Sequence, residues 1–154
     1  MAKKAEALNA NRPRVLLVGI HAPYNKTKNI ESYFDEFVKL VESNDIAYDH
    51  TWFTTLRDID PAYLITKGKL EQLQALIEEH NINEVIISEP LSPQQERNLR
   101  DFLHRKVFDR NQVILELFER NAHTAEGKAQ VAIAMLQHEK SRLAGKGAEF
   151  GQQS

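Results

Sequence analysis

The feature that most constrains this chain is a change of rhythm near residue 110. Before it, short apolar runs alternate with helical periodicity; after it, two helical patterns follow one another with no strand between them. Val15-Leu16-Leu17-Val18-Gly19 reads as a buried strand. Ile30, Tyr33, Phe34, Phe37, Leu40 and Val41 then recur at helical spacing behind Asn29, a good cap. Tyr48 to Thr55 is aromatic and β-branched, so it reads as a second strand. Leu70, Leu73 and Ile77 mark one face of a second helix. Glu84-Val85-Ile86-Ile87-Ser88 is a third strand. Ser92-Pro93-Gln94-Gln95 is a strong helix start, with Ser at the cap, Pro in the first turn and Gln at the third position. Leu99, Phe102 and Leu103 form that helix's apolar face, and Lys106 to Asp109 is a short fourth strand. The order βαβαβαβ predicts a four-stranded, mainly parallel sheet flanked by helices. Right-handed crossovers leave few topologies, and a flavodoxin-like order is the expectation.

Beyond residue 110, Val113, Ile114, Leu117 and Phe118 share one side of a helix over Asn111–Asn121. A second helix runs from Ala125 to Ala144, capped by Thr124 and closed by Gly145. Two helices joined by a short turn predict an antiparallel αα-hairpin. The expected organisation is a flexible N-terminal arm over 1–13, an α/β subdomain over 14–109, a helical hairpin over 110–146 and a linker over 147–154.

Charge follows the same division. Residues 1–96 carry ten basic and fifteen acidic side chains, and residues 97–154 carry ten and seven. The net charge of −2 therefore hides a basic C-terminal third, and no global polycation suited to DNA is present. The absence of cysteine excludes disulfides, zinc ribbons, iron–sulfur sites and thiol nucleophiles. No apolar run reaches the roughly 18–20 residues of a membrane span, and no apolar stretch follows the basic Met1-Ala2-Lys3-Lys4 start. A cytoplasmic protein is expected.

Catalytic motifs fail on inspection. Gly68-Lys69, Gly127-Lys128 and Gly145-Lys146 lack both the earlier Gly and the following Ser or Thr of a P-loop. Asn25-Lys26-Thr27-Lys28 lacks the acid that reads guanine. The six histidines show no ligand spacing. Ser88-Glu89 and Asp109 fall at strand carboxyl ends, where open α/β sheets bind ligands, although strand-end capping explains them as simply. Arg110 and the hairpin tip, with Arg120, His123 and Lys128, offer cations for phosphates, and Asn121 offers a polar base or sugar contact.

Longer matches point further. Leu91-Ser92-Pro93-Gln94-Gln95-Glu96-Arg97-Asn98-Leu99 is similar to an L-S-P-x-Q-x-R-N-L motif. Val107-Phe108-Asp109-Arg110, Thr124-Ala125-Glu126-Gly127-Lys128-Ala129-Gln130-Val131 and Arg142-Leu143-Ala144-Gly145-Lys146-Gly147 follow in one register. Together they resemble the N-terminal domain of the HflX family of ribosome-associated GTPases. Thr66 stands where that family has Gly, and Asn121 and His123 stand where Arg is usual.

The resemblance implies an α/β part plus a long helical hairpin whose tip reaches the large ribosomal subunit and its rRNA near the peptidyl transferase centre. It implies tip residues Asn121, His123, Thr124, Glu126, Gly127 and Lys128. With Arg110, Arg120, Arg142 and Lys146 added as phosphate contacts, these are the rRNA-binding candidates. It further implies a C-terminal GTPase domain, using GTP and magnesium, that drives ribosome splitting or rescue under stress. This chain alone is expected to have no hydrolase activity and no cofactor, and no metal site. Two alternatives stand beside that reading. One is a regulatory domain binding ATP or GTP at the strand carboxyl ends near Gly19, Ser88 and Asp109. The other is an intramolecular restraint on the GTPase domain.

Overall fold

In a computed structural model of the chain, the residues described are 12–121, 130 and 132–140. Four strands, β1 (Val15–His21), β2 (His50–Thr55), β3 (Glu84–Ile87) and β4 (Lys106–Phe108), form one sheet in the order β2-β1-β3-β4. Every neighbouring pair is parallel. The helices are α1 (Ile30–Ser43), α2 (Lys67–Glu79), α3 (Pro93–Leu103) and α4 (Arg110–Asn121). Residues 132–140 are also helical. The flavodoxin-like order expected from the crossovers is the one observed.

The two-residue period of a strand decides which helix lies on which face. Leu16, Val18, Ile20, Val85, Ile87 and Val107 point to one side and pack with Leu70, Leu73 and Ile77 of α2 and Leu99 and Leu103 of α3. Val15, Leu17 and Ile86 point to the other and pack with Phe37 and Val41 of α1 and Val113 of α4. Apolar residues on both faces explain why β1 and β3 read as continuous apolar runs. Each fully buried Leu or Ile contributes on the order of 2–3 kcal/mol by leaving water.

The caps hold as expected. Asn29 Oδ1 accepts from the Ser32 amide at 3.0 Å. Ser92 Oγ accepts from the Gln95 amide at 3.1 Å while Gln95 Oε1 accepts from the Ser92 amide at 3.0 Å, which completes a capping box. Five boundaries differ from the sequence reading: β3 ends at Ile87 rather than Ser88, α4 begins at Arg110 rather than Asn111, and three others shift for visible reasons. The second strand starts at His50, because Tyr48 turns into the core and the Asp49 amide instead reaches the Val15 carbonyl. The first strand runs on to His21, paired with Thr55. The fourth ends at Phe108, because Asp109 caps α4 by accepting from the Gln112 amide at 3.0 Å. Phe102 is half-buried, edge-on to Tyr63.

At the end of the N-terminal arm, Arg12 is tied down. Its guanidinium donates to both oxygens of Asp49 at 2.9 and 2.5 Å. The linker over 147–154 lies outside the described residues. The second hairpin helix is described only over 132–140, where Met135, His138 and Glu139 share a small cavity with Gln112 and Leu115 of α4.

Candidate functional site

The order β2-β1-β3-β4 places a topological switch point between β1 and β3, since the chain winds one way from β1 to β2 and the other way onward to β3. At the carboxyl ends of such strands an open α/β sheet has its natural crevice. Here the crevice is occupied by the protein's own side chains. Glu89, 2% exposed, directly follows β3. It accepts hydroxyl hydrogen bonds from Tyr24 at 2.8 Å, from Tyr33 of α1, and from Ser88 at 3.3 Å. Ser88 Oγ in turn accepts from the Ile20 amide at 2.8 Å. A carboxylate taken out of water needs such donors, and three hydroxyls supply them.

The same cluster perturbs its tyrosines. Burial raises the Tyr24 and Tyr33 hydroxyls well above the ordinary tyrosine range, and the hydrogen bond to Glu89 and its charge push the same way. At Tyr33, Arg110 and Asn25 oppose the shift in part. Beside the cluster, both ring nitrogens of His21 are buried without a hydrogen-bond partner among the described residues.

The other strand-end candidates are also structural. A Cβ on Gly19 would lie 2.4 Å from the Phe53 ring and 2.9 Å from Phe34. Those two rings stack at 4.6 Å, so the space beside Gly19 is filled by aromatic carbon. Asp109 divides its carboxylate between the Leu91 amide at 2.9 Å and the Gln112 amide. Neither Gly19 nor Gly68 takes a positive φ, and Lys67-Gly68-Lys69 is simply the first turn of α2. Neither glycine therefore offers the open, left-handed backbone of a glycine-rich phosphate loop. The described residues also include no group of three or more His, Asp or Glu able to hold a metal ion, and no helix among them is long and apolar enough to cross a membrane.

Three of the ten rRNA-binding candidates fall within the described residues. Arg110 sits at the first turn of α4 and donates to Glu36 of α1 at 2.8 Å. Arg120 and Asn121 fall in the last turn of the same helix, about 15 Å further along its axis at 1.5 Å per residue. Arg110 thus joins α1 and α4 near the sheet's carboxyl end. His123, Thr124, Glu126, Gly127, Lys128, Arg142 and Lys146 lie outside the described residues.

The tyrosine–glutamate cluster was not found from sequence. In the sequence Ser88-Glu89 stands out only as a strand end, and Tyr33 only as a residue on the apolar face of a helix. Tyr24 and Tyr33 come from 65 and 56 residues away, beyond any local pattern.

The comparisons with known proteins fit this architecture. A family model described as GTP-binding GTPase N-terminal matches residues 31–119. The chain belongs to this family. Among curated HflX relatives, GTPase HflX of Magnetococcus marinus is 34% identical over 130 residues, covering 84% of this chain and 30% of that protein. GTPase HflX of Lacrimispora saccharolytica is 33% identical over 86% of this chain and 31% of its own length. GTPase HflX of Escherichia coli is 32% identical over 80% of this chain and 29% of its own. The HflX-type N-terminal domain described here thus spans less than a third of these relatives. Among solved structures, a GTP-binding protein of Sulfolobus solfataricus in complex with GDP has the same fold, with a TM-score of 0.61 at 21% identity, over 91% of this chain and 42% of that one.

Proposed function

We propose that this HflX-type domain binds the large ribosomal subunit through the tip of its helical hairpin. Arg120, His123 and Lys128 contact rRNA phosphates there, Asn121 and Gly127 shape the tip, and Thr124 and Glu126 complete it. Arg142 and Lys146 add phosphate contacts, and Arg110 braces the hairpin's base. A GTPase domain, using GTP and magnesium, couples to this binding in ribosome splitting or rescue. Family membership supports the reading, and one observation carries it. The first helix of the hairpin leaves the sheet with a single residue, Asp109, between β4 and α4, and is braced by Val113 in the core and Arg110 on Glu36. A segment anchored in this way positions its far end, as a recognition element requires.

Co-sedimentation with purified large subunits tests the reading. The double variant Arg120→Glu/Lys128→Glu is expected to stay in the supernatant with an unchanged melting temperature. Pelleting equal to the parent chain overturns the tip assignment.

A second reading, ATP or GTP bound at the strand carboxyl ends, has one observation in its favour, the unpartnered His21 ring. The adjacent Glu89 carboxylate works against it, because it repels phosphate. Calorimetry with both nucleotides distinguishes the two readings: absence of heat at millimolar ligand rejects the second.

A further inference from the structure

The opposite end of the sheet has a different character. Arg100 in the last turn of α3, His104 at its C-cap, Arg105, and Lys106 at the start of β4 line an open trough of about 580 Å3. Its other described walls are Pro13, Asn83 and Glu84, so among the described residues one carboxylate faces three permanent cations. The Arg100 and Lys106 side chains make no hydrogen bond or ion pair with any other described residue. In contrast, Arg12 is bonded to Asp49 and Arg110 to Glu36. Arg105 is fixed in place: its Nε donates to the Ile82 carbonyl at 2.6 Å and its Nη1 to the His104 carbonyl at 2.9 Å.

The negative end of the α3 dipole accounts for basic residues in its last turn, Arg100 and His104. It does not account for Lys106, which opens a strand. Nor does it account for the location. Helix α4 begins at the carboxyl end of β4 and runs back along the sheet. Glu116, two turns in, lines a second groove together with Ile46 and Glu84. Glu84 therefore borders both the trough and the flank of α4.

We propose that Arg100, Arg105 and Lys106 form a second RNA contact, a trough at the amino edge of the sheet that grips phosphodiester backbone while the hairpin tip engages its own RNA site. The proposal rests on the reading that the hairpin binds RNA, and it adds a surface to it. A backbone ligand fits better than a peptide. Among its described lining residues the trough offers separated cations and no Phe, Tyr, Trp, Leu, Ile or Val to anchor a peptide side chain, and phosphates are held by such cations without sequence selection. A guanidinium already locked by two carbonyls loses little freedom on meeting a phosphate.

The test is fluorescence anisotropy of the full chain with a labelled RNA stem-loop across a salt series. Arg100→Glu/Lys106→Glu is compared with Arg120→Glu/Lys128→Glu. A control makes the same charge change at the sheet's carboxyl end, Lys28→Glu/Lys67→Glu. The trough variant is expected to bind about tenfold more weakly or worse, with a log–log salt slope shallower by roughly 1.5, while the control stays within about twofold of the parent. Arg100→Lys/Lys106→Arg, which keeps the charge, is expected to retain binding. A trough variant that matches the control overturns the proposal, and so does displacement of the RNA by polyglutamate as readily as by polyuridylate, which would mark an acidic protein as the ligand. A tip variant that binds normally while the trough variant fails overturns the tip reading and leaves the trough standing. Circular dichroism of each variant confirms that the fold is retained.

Discussion

The two ends of the sheet are built on opposite electrostatic plans. At the carboxyl end two carboxylates are buried and satisfied: Glu89 holds three hydroxyls and Asp109 holds two amides. Two phenyl rings fill the space beside Gly19. At the amino end, Arg100, Arg105 and Lys106 line an open trough with one carboxylate, Glu84, among its described residues. Open α/β sheets place ligands at the carboxyl ends of their strands. In this domain that crevice holds the buried Glu89 with its three hydroxyl partners and a stacked pair of phenyl rings, while the cations of the trough lie at the opposite end. A fold's customary binding edge is a location that a sequence may fill with structure.

The largest expected effect tests the closed end. Glu89→Leu strands the hydroxyls of Tyr24, Tyr33 and Ser88, and is expected to cost about 3–5 kcal/mol in urea unfolding. A loss below about 1 kcal/mol would mean that the carboxyl end is wetter and more open than its hydrogen bonds imply. Next comes Gly19→Ala, whose new methyl meets the Phe53 ring; overpacking of this kind costs about 1–3 kcal/mol. Combining it with Phe53→Ala should recover part of the loss, and a double-mutant cycle with no coupling would contradict the packing argument.

The smallest effect belongs to the amino end. Burial pushes the Asp49 carboxyl up, but the Arg12 hydrogen bond, the Val15 amide and the charges of Arg12 and Arg14 outweigh it and hold the group below its ordinary value. A carboxyl depressed in the folded state gives stability that is present above its unfolded value and is lost as pH falls through its folded one. Asp49→Asn should therefore flatten the acid limb of stability against pH while costing about 1–2 kcal/mol at neutrality. An acid limb identical to the parent's would remove Asp49 from the account.

How much of this was legible in the sequence depended on distance along the chain. The caps at Asn29 and Ser92 are local rules acting over three residues, and both appeared as read. Strand order followed from chirality, which is also general. The apolar faces of α2 and α3 followed from period alone, except that Phe102 is held half out by Tyr63. What failed to show was whatever depends on residues brought together by the crossovers. Tyr33 has the spacing of a core residue, and only the fold turns its hydroxyl to Glu89. Arg110 resembled a free cation until α1 brought Glu36 beside it. The amino-edge trough takes residues from the end of α3, the start of β3, the start of β4 and the segment before β1. No linear pattern connects these.

The joint at Asp109 has a mechanical consequence. A single carboxylate, 3% exposed, fastens both the first turn of α4 and the segment that leads into α3. With no slack between β4 and α4, the helix acts as a lever whose fulcrum is built into the sheet. A push on its far end becomes torque on β4 and on the entry to α3, without first being absorbed by bending a linker. Tilting α4 on the sheet would strain the bonds of Asp109 to the Leu91 and Gln112 amides.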